Sequence, residues 1–349
     1  MSLKDIDTHK LGYHPERVAE WKKDGWCYPL HIEAGITNRC NHRCIQCTLD
    51  WINHKRDDID PQVFVQTLMD AASIGVKAVY FAGEGEPTLH HDLPLFVKTA
   101  HSLGMKVALS TNGAMLTPDI AYQVLPYLSW IRFSVDAAND ETFSKVHGVG
   151  KGELDKVINN ITYCAALTKY KRLGVQIGIQ TLLMKENLEE IPDLAVMVKN
   201  LGVHNFQVKP AHCHPKSAYI AGTYWDECLG DLERLNDMNF TVIVRVKSLE
   251  RLTMERTYAR CHAFDLYCLI DALGNVTPCN IFYSDEKYIF GNINEQSLPE
   301  IWRSDKKTEI IDKITSLAHV QCKEYRCRQD VMNRFLERVK NPELNDEFI

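Results

Sequence analysis

Cys40, Cys44 and Cys47 occupy the run Thr37-Asn38-Arg39-Cys40-Asn41-His42-Arg43-Cys44-Ile45-Gln46-Cys47, directly after the first strand-like segment, with the spacing C-x3-C-x2-C. A structural zinc site takes four ligands and is closed, whereas three protein ligands leave one position open for chemistry. A four-iron cluster held by three thiolates likewise leaves one iron without a protein ligand, and a molecule carrying an amine and a carboxylate can chelate there. The bland alternative is a structural zinc completed by His42 or His54. A second group of thiols, Cys261, Cys268, Cys279, Cys322 and Cys327, lies in the last quarter of the chain. Cys27, Cys164, Cys213 and Cys228 are scattered and read as small buried hydrophobes.

Composition bounds the setting of this chemistry. The 349 residues suffice for a sizeable core and two domains, and 45% apolar with 25% charged residues is the balance of a soluble globular enzyme. A formal net charge of -6 gives no electrostatic footprint for nucleic acid, and no polybasic run or long apolar stretch suggests a membrane partner. The opening residues lack the apolar core of a secretory signal, so the 12 cysteines are expected in a reducing compartment, the cytoplasm, where thiols serve metals or catalysis.

The segments that must position these groups alternate regularly. Strand patterns at Leu30–Ile36, Ala78–Ala82, Val107–Ser110, Ile131–Val135, Val175–Leu183 and Phe206–Val208 are each followed by a helical pattern. The helices are expected at Pro61–Ile74 with an Asp60 cap and a Gly75 stop, Asp92–Leu103, Pro118–Leu125, Leu154–Leu167, Leu188–Leu201 and Asp226–Met238. Six such units with short connections imply parallel strands joined by right-handed crossovers, in either an open doubly wound sheet or a barrel. After Thr241–Val246 the pattern degrades into short strands and turns around the late cysteines, which places a boundary near residue 247. The expected division is an N-terminal arm at 1–29, an α/β unit at 30–246 and a cysteine-rich extension at 247–349.

In parallel α/β architectures ligands bind at the carboxyl ends of strands. Four motifs fall there: Cys40 to Cys47, Gly83-Glu84-Gly85-Glu86-Pro87, Ser110-Thr111-Asn112-Gly113 and Ser134-Val135-Asp136. Gly83 and Gly85 let backbone approach a ligand closely. Each string alone is an ordinary turn, but their order and shared position resemble the radical S-adenosylmethionine (SAM) superfamily. That resemblance implies a partial (β/α)6 barrel with a [4Fe-4S] cluster on Cys40, Cys44 and Cys47. It further implies that the segment Glu84-Gly85-Glu86-Pro87 holds the amino group of SAM. Ser110, Asn112, Ser134 and Asp136 resemble residues facing the ribose and carboxylate, with Gln180 and Thr181 on the fifth strand and Lys185 and Asn187 after it carrying less weight. Family members usually place an aromatic residue before the third cysteine, against the adenine; here Gln46 stands there, and its amide is a candidate to hydrogen-bond the base.

In the tail, Leu269 to Val276 reads as a hairpin turning at Gly274-Asn275, bracketed by cysteines, with Cys322 and Cys327 returning later. Together with Gly291-Asn292-Ile293 and Glu300-Ile301-Trp302 it resembles the SPASM or twitch extension, a small α+β domain. The resemblance implies an auxiliary [4Fe-4S] cluster on Cys261, Cys279, Cys322 and Cys327. A zinc ribbon remains open for these four thiols. Cys268 is left over: it replaces one of the four, is a buried thiol, or donates a hydrogen atom to a substrate radical.

The expected chemistry is reductive cleavage of SAM to a 5′-deoxyadenosyl radical that abstracts hydrogen from the substrate, with electrons from a flavodoxin- or ferredoxin-type donor. The cofactor supplies the reactivity and the protein the orientation and exclusion of water. Peptide-modifying relatives often carry a recognition domain ahead of the barrel, and about 29 residues precede the first strand here, too few for one. This favours a small polar substrate such as a sugar, aminocyclitol or nucleoside, against a peptide maturase or a non-enzymatic metal scaffold. Lys209, His212 and His214 at the end of the sixth strand, with Arg245 and Arg260, are candidates to face that substrate or are solvated loop positions.

Overall fold

Asp60 accepts hydrogen bonds from the amides of Gln62 and Val63, and Pro61 takes the first helical position, so the first crossover helix starts where its sequence directs. The computed structural model describes residues 8–52, 55–211, 214, 216–220, 222, 228–250, 254–321, 327 and 329–346, and no side chain at 228, 249 or 315–321. In chain order the elements are α1 (Pro15–Asp24), β1 (His31–Ala34), α2 (Pro61–Ser73), β2 (Ala78–Phe81), α3 (Leu93–Ser102), β3 (Lys106–Thr111), α4 (Pro118–Val124), β4 (Trp130–Ser134), α5 (Asp140–His147) and α6 (Glu153–Lys171). There follow β5 (Gln176–Leu183), α7 (Ile191–Asn200), β6 (Asn205–Pro210), α8 (Cys228–Asp231), β7 (Thr241–Val244) and α9 (Val246–Glu250). The last group is β8 (Tyr267–Ile270), β9 (Asn275–Thr277), β10 (Gly291–Asn292), α10 (Leu298–Arg303), α11 (Asp305–Gln321) and α12 (Asp330–Lys340).

The strands form one sheet in the order β10-β9-β8-β1-β2-β3-β4-β5-β6-β7, parallel from β8 to β7. The expected α/β partial barrel with its cysteine-rich extension is therefore present. Registered apolar partners (Ile32 with Val79 and Cys268, Leu109 with Ile131, Phe206 with Val242) line the face that packs on the helices. Alternation turns the intervening residues to the inner face. His31, Tyr80, Trp130, Arg132, Ser134, Gln180 and Tyr267 lie there, so this face is more polar than the one packed on the helices.

Several expectations change. β8 hydrogen-bonds to β1, so the sheet runs unbroken past residue 247, and the hairpin at Leu269–Val276 is an extension of the barrel wall. β7 adds a seventh parallel strand beside β6. The helix expected at Asp226–Met238 is described only as α8 and a tight turn at Leu232–Leu235. Asp237 Oδ1 accepts from the amides of Asn239 and Phe240, and this local turn competes with helix. α5 was not anticipated; Asn139 caps it through the Thr142 amide and Gly148, in the left-handed conformation, ends it. The N-terminal arm is tied down: Leu11, Trp21, Cys27 and Leu30 pack with Leu266 and Leu336.

Candidate active site

The loop from Thr37 to Cys47 is clamped between two glycines. A Cβ on Gly85 (φ 66°) would overlap the carbonyl oxygens of Thr37 and Arg39, and one on Gly148 (φ 60°) that of Arg43. Closing these gaps, the Glu86 amide donates to the Arg39 carbonyl at 2.7 Å, and the Arg43 and Ile45 amides donate to His147 and Val146 at 2.9 Å. Arg39 grips Asp58 bidentately at 3.0 and 2.7 Å and also donates to the Leu89 carbonyl. Asn112 Nδ2 donates to Asn41 Oδ1 at 2.8 Å, tying the end of β3 to the same loop.

Within this loop the three thiols are half-buried and unbridged. Burial pushes all three above the usual thiol range, Cys40 to about 11, and charge on Cys47 raises both Cys40 and Cys44 further. Burial and neighbouring charge oppose ionisation of these three thiols on one short loop, and a bound cation would restore the thiolates. The donor set thus fits an iron cluster with an open corner. His42 and His147 flank Cys44, all three with ligand atoms within 4.8 Å of one another. His54, the other candidate for a zinc, lies outside the described residues.

Around the loop, the expected ligand-facing residues divide into two classes. Glu86 is fully committed: its carboxylate accepts from the Thr88 amide and hydroxyl, the Thr111 hydroxyl and the Asn112 amide at 2.6–3.1 Å. Glu84 accepts from the Ala272 amide at 2.6 Å in the hairpin turn, and burial with Asp271 nearby raises it to about 8. Glu86 is thus spent inside the fold, while Glu84 Oε1 ties the motif to the hairpin turn. Gly83 (φ 104°) and Gly85 take the left-handed side of backbone space, and buried Pro87 starts the next turn. The Tyr283 hydroxyl sits in contact distance of both Gly35 and Gly83, a tail residue pressed against the motif.

The other class stays on the inner face. Asp136 is buried and raised to about 6 by that burial, against the hydrogen bonds it accepts from the Leu182 amide at 2.7 Å and from Thr181 and the nearby Lys209 charge. Its other oxygen accepts from Gln46 Nε2 at 2.7 Å, which leaves Gln46 Oε1 buried without a partner. Gln46 is thereby held by Asp136, with a bare acceptor beside the third cysteine. Asn187 supports the same corner by donating to the Asp136 carbonyl at 2.7 Å. Ser110 meets the Tyr80 hydroxyl at 2.6 Å, and Ser134 pairs in register with Gln180. Lys209 stands on β6 opposite Leu182, within electrostatic reach of Asp136.

Cys268, expected as a possible hydrogen donor, is wholly buried with Ile32 and Ile270 on the helix-facing side of the sheet. The strand alternation that sends Tyr267 and Leu269 inward sends its thiol the other way, so it reads as core. His214 is occupied as well: one ring nitrogen meets the Ile281 carbonyl at 3.1 Å and the other accepts from the Lys216 amide at 3.0 Å. His212 and Cys213 lie outside the described residues. Of the expected tail ligands, Cys261, Cys279 and Cys327 are half-buried, and Cys322 lies outside the described residues. Asn333 braces the first: its Oδ1 accepts from the amides of His262 and Ala263, and its Nδ2 donates to Cys261 Sγ at 3.3 Å.

Comparison with known proteins agrees with this geometry. A model of the radical SAM superfamily matches residues 35–198, and one of the SPASM iron-sulfur cluster-binding domain matches residues 261–328. The chain belongs to the radical SAM superfamily. This radical SAM enzyme is 28% identical over 309 residues to the tungsten-containing aldehyde ferredoxin oxidoreductase cofactor-modifying protein of Pyrococcus furiosus, across 80% of this chain and 82% of that one. It is 25% identical to the mycofactocin maturase MftC of Mycolicibacterium smegmatis, across 82% of this chain and 73% of that one. Its fold matches Streptococcus suis SuiB bound to S-adenosylmethionine with a TM-score of 0.65 at 19% identity, covering 95% of this chain and 79% of that one. SuiB bound to its precursor peptide SuiA matches with a TM-score of 0.64 at 20% identity, covering 86% and 70%. As a radical SAM enzyme with a SPASM domain, the protein uses [4Fe-4S] clusters and SAM. No helix among the described residues is long and apolar enough to cross a membrane.

Sequence reasoning missed His147 and Arg132. His147 is legible only as a histidine before a helix-ending glycine. Arg132 carries a clearer signal, a lone cation at the inward period of the strand Trp130–Ser134.

Proposed function

We propose that this radical SAM enzyme modifies a side chain of a peptide or protein. The observation that carries the reading is a relative named as a maturase, MftC, matching across 82% of this chain. The fold shared with SuiB, solved with a precursor peptide, supports it. The expected sugar, aminocyclitol or nucleoside has weaker support. A second reading, a cofactor as substrate, is favoured by the name of the P. furiosus relative.

In this reading Cys40, Cys44 and Cys47 hold the SAM cluster. Cys261, Cys279 and Cys327 with Cys322 hold the auxiliary cluster, so residues 30–246 and 247–349 divide the labour. When bound, cluster and SAM together supply one-electron chemistry able to take hydrogen from an unactivated carbon. The chain's own residues orient and enclose. Main-chain groups at Gly83 to Pro87 would hold the amino-acid end of SAM and Gln46 Oε1 the adenine amine, with Asp136 fixing the Gln46 side chain. Ser110, Asn112, Ser134 and Gln180 line the same side, and Lys209 positions substrate. A flavodoxin- or ferredoxin-type protein supplies electrons.

The test is anaerobic incubation of the reconstituted enzyme with SAM, reductant and short peptides encoded beside its gene. Peptide-dependent 5′-deoxyadenosine and a mass change in the peptide are expected. SAM cleavage stimulated by a small cofactor or sugar, and by none of the peptides, rejects the reading.

A further inference from the structure

The inner face of the sheet carries a half-buried cation that no carboxylate among the described residues balances. Arg132 projects inward from the middle of β4, in register with Ser110 on β3 and Gly178 on β5. Its guanidinium lies over the Trp130 ring at 4.7 Å, and Nη1 makes a long contact of 3.4 Å to Gln180 Oε1. Its Nε is closed to solvent and makes no hydrogen bond. Among the described residues no acid forms an ion pair with it: Glu33 takes the Tyr267 hydroxyl, and Asp136 is bonded to Gln46, Thr181 and Leu182.

The surroundings sharpen the imbalance. Burial depresses the basicity of Arg132; Tyr80 offsets this in part, and the charge of Arg245 adds to it, so a second cation is close by. Lys209 lies on the next strand but one. Gln207, between them on β6, keeps its Oε1 buried and unpartnered. Next to Arg132, Trp130 and Tyr80 stand 5.0 Å apart as an aromatic wall. A charge buried without a partner is costly and is kept where a ligand supplies the missing counter-charge. Arginine in particular presents a planar fork matched to a carboxylate.

We propose that Arg132, in the field of Lys209 and Arg245, is the specificity-determining residue that clamps a carboxylate of the substrate. On the peptide reading that carboxylate is an aspartate or glutamate side chain, or the peptide's own C-terminus, seated against Trp130 and Tyr80. The inference rests on that reading only for the identity of the group that bears the carboxylate.

The experiment uses SAM-loaded, reconstituted enzyme and two probes, acetyl-Gly-Glu-Gly-amide and acetyl-Gly-Gln-Gly-amide, with binding measured by anaerobic calorimetry. The wild type is expected to prefer the acidic probe by about tenfold, the scale of one charge-assisted hydrogen bond. Arg132→Gln is expected to abolish the preference, and Arg132→Lys to retain part of it. Arg132→Gln is also expected to melt no lower than the wild type, since it removes an uncompensated charge. Equal binding of both probes to the wild type, or a preference that survives in Arg132→Gln, overturns the proposal. So does a tenfold loss of SAM affinity in the variant, which assigns the guanidinium to SAM's own carboxylate, or a clear fall in melting temperature, which makes it structural. Binding preference is read without turnover, so it fails or holds separately from the peptide-modifying reading.

Discussion

His147 Nδ1 stands 3.4 Å from the sulfur of Cys44, and the opposite ring nitrogen accepts the Asp136 amide at 3.3 Å. Burial holds the ring to about 3, so it is neutral. A neutral ring whose Nε2 is an acceptor carries its proton on Nδ1, which therefore points at the Cys44 sulfur. The same side chain links the Cys44 sulfur to the strand end that fixes Gln46.

Hydrogen bonds to the sulfurs of an iron-sulfur centre raise its reduction potential. His147→Phe removes one donor worth about 1 kcal/mol, on the order of 40 mV for a one-electron couple. The midpoint followed by electron paramagnetic resonance during a redox titration should become more negative by that order, and His147→Gln should recover part of the shift. An unchanged midpoint in His147→Phe removes the sulfur bond from the account.

Gly85 is the point where the Gly-Glu-Pro motif and the cysteine loop touch. Gly85→Ala places a methyl group on the Thr37 and Arg39 carbonyls in a backbone conformation that disfavours side chains. Loss of about four irons per chain is expected, with the tail cluster retained. Iron and sulfide counting checks it, and full iron content in the variant contradicts the clamp.

Glu84 joins the SAM motif to the tail hairpin with a carboxyl raised from 4.5 to about 8, mainly by burial. Folded protein therefore binds this proton more tightly than unfolded protein, and stability falls as pH rises between those values. Glu84→Gln keeps an acceptor for the Ala272 amide without the charge. Thermal melts at about pH 5.5 and 7.5 should show the wild type losing on the order of 1 kcal/mol more than the variant. Parallel losses exclude a raised Glu84.

Cys268 offers the opposite expectation. Its thiol fills core against β1, so Cys268→Ala should cost roughly 1–2 kcal/mol of stability and leave the product of turnover unchanged. A variant that stops at the substrate radical, read as lost product with SAM cleavage intact, restores Cys268 as a hydrogen donor.

The sequence by itself determined the chemistry and the order of the barrel. Thiols at C-x3-C-x2-C, glycines beside a ligand and capped helices between apolar strands are local signals, since spacing and propensity act over a few residues. Those signals placed β1 to β6, the hairpin and the SPASM region. Tertiary structure decided what the local signals could not carry. Glu84 and Glu86 look like ligand carboxylates in the string Gly83 to Pro87, yet they bond to the tail hairpin and β3. Cys268 and Tyr267 are neighbours in sequence, and only the pairing of β8 with β1 sends one to the core and the other inward. Arg132 and His147 acquire their roles from partners on other elements. Burial and hydrogen bonding between distant segments are properties of packing, and packing is where this site was completed.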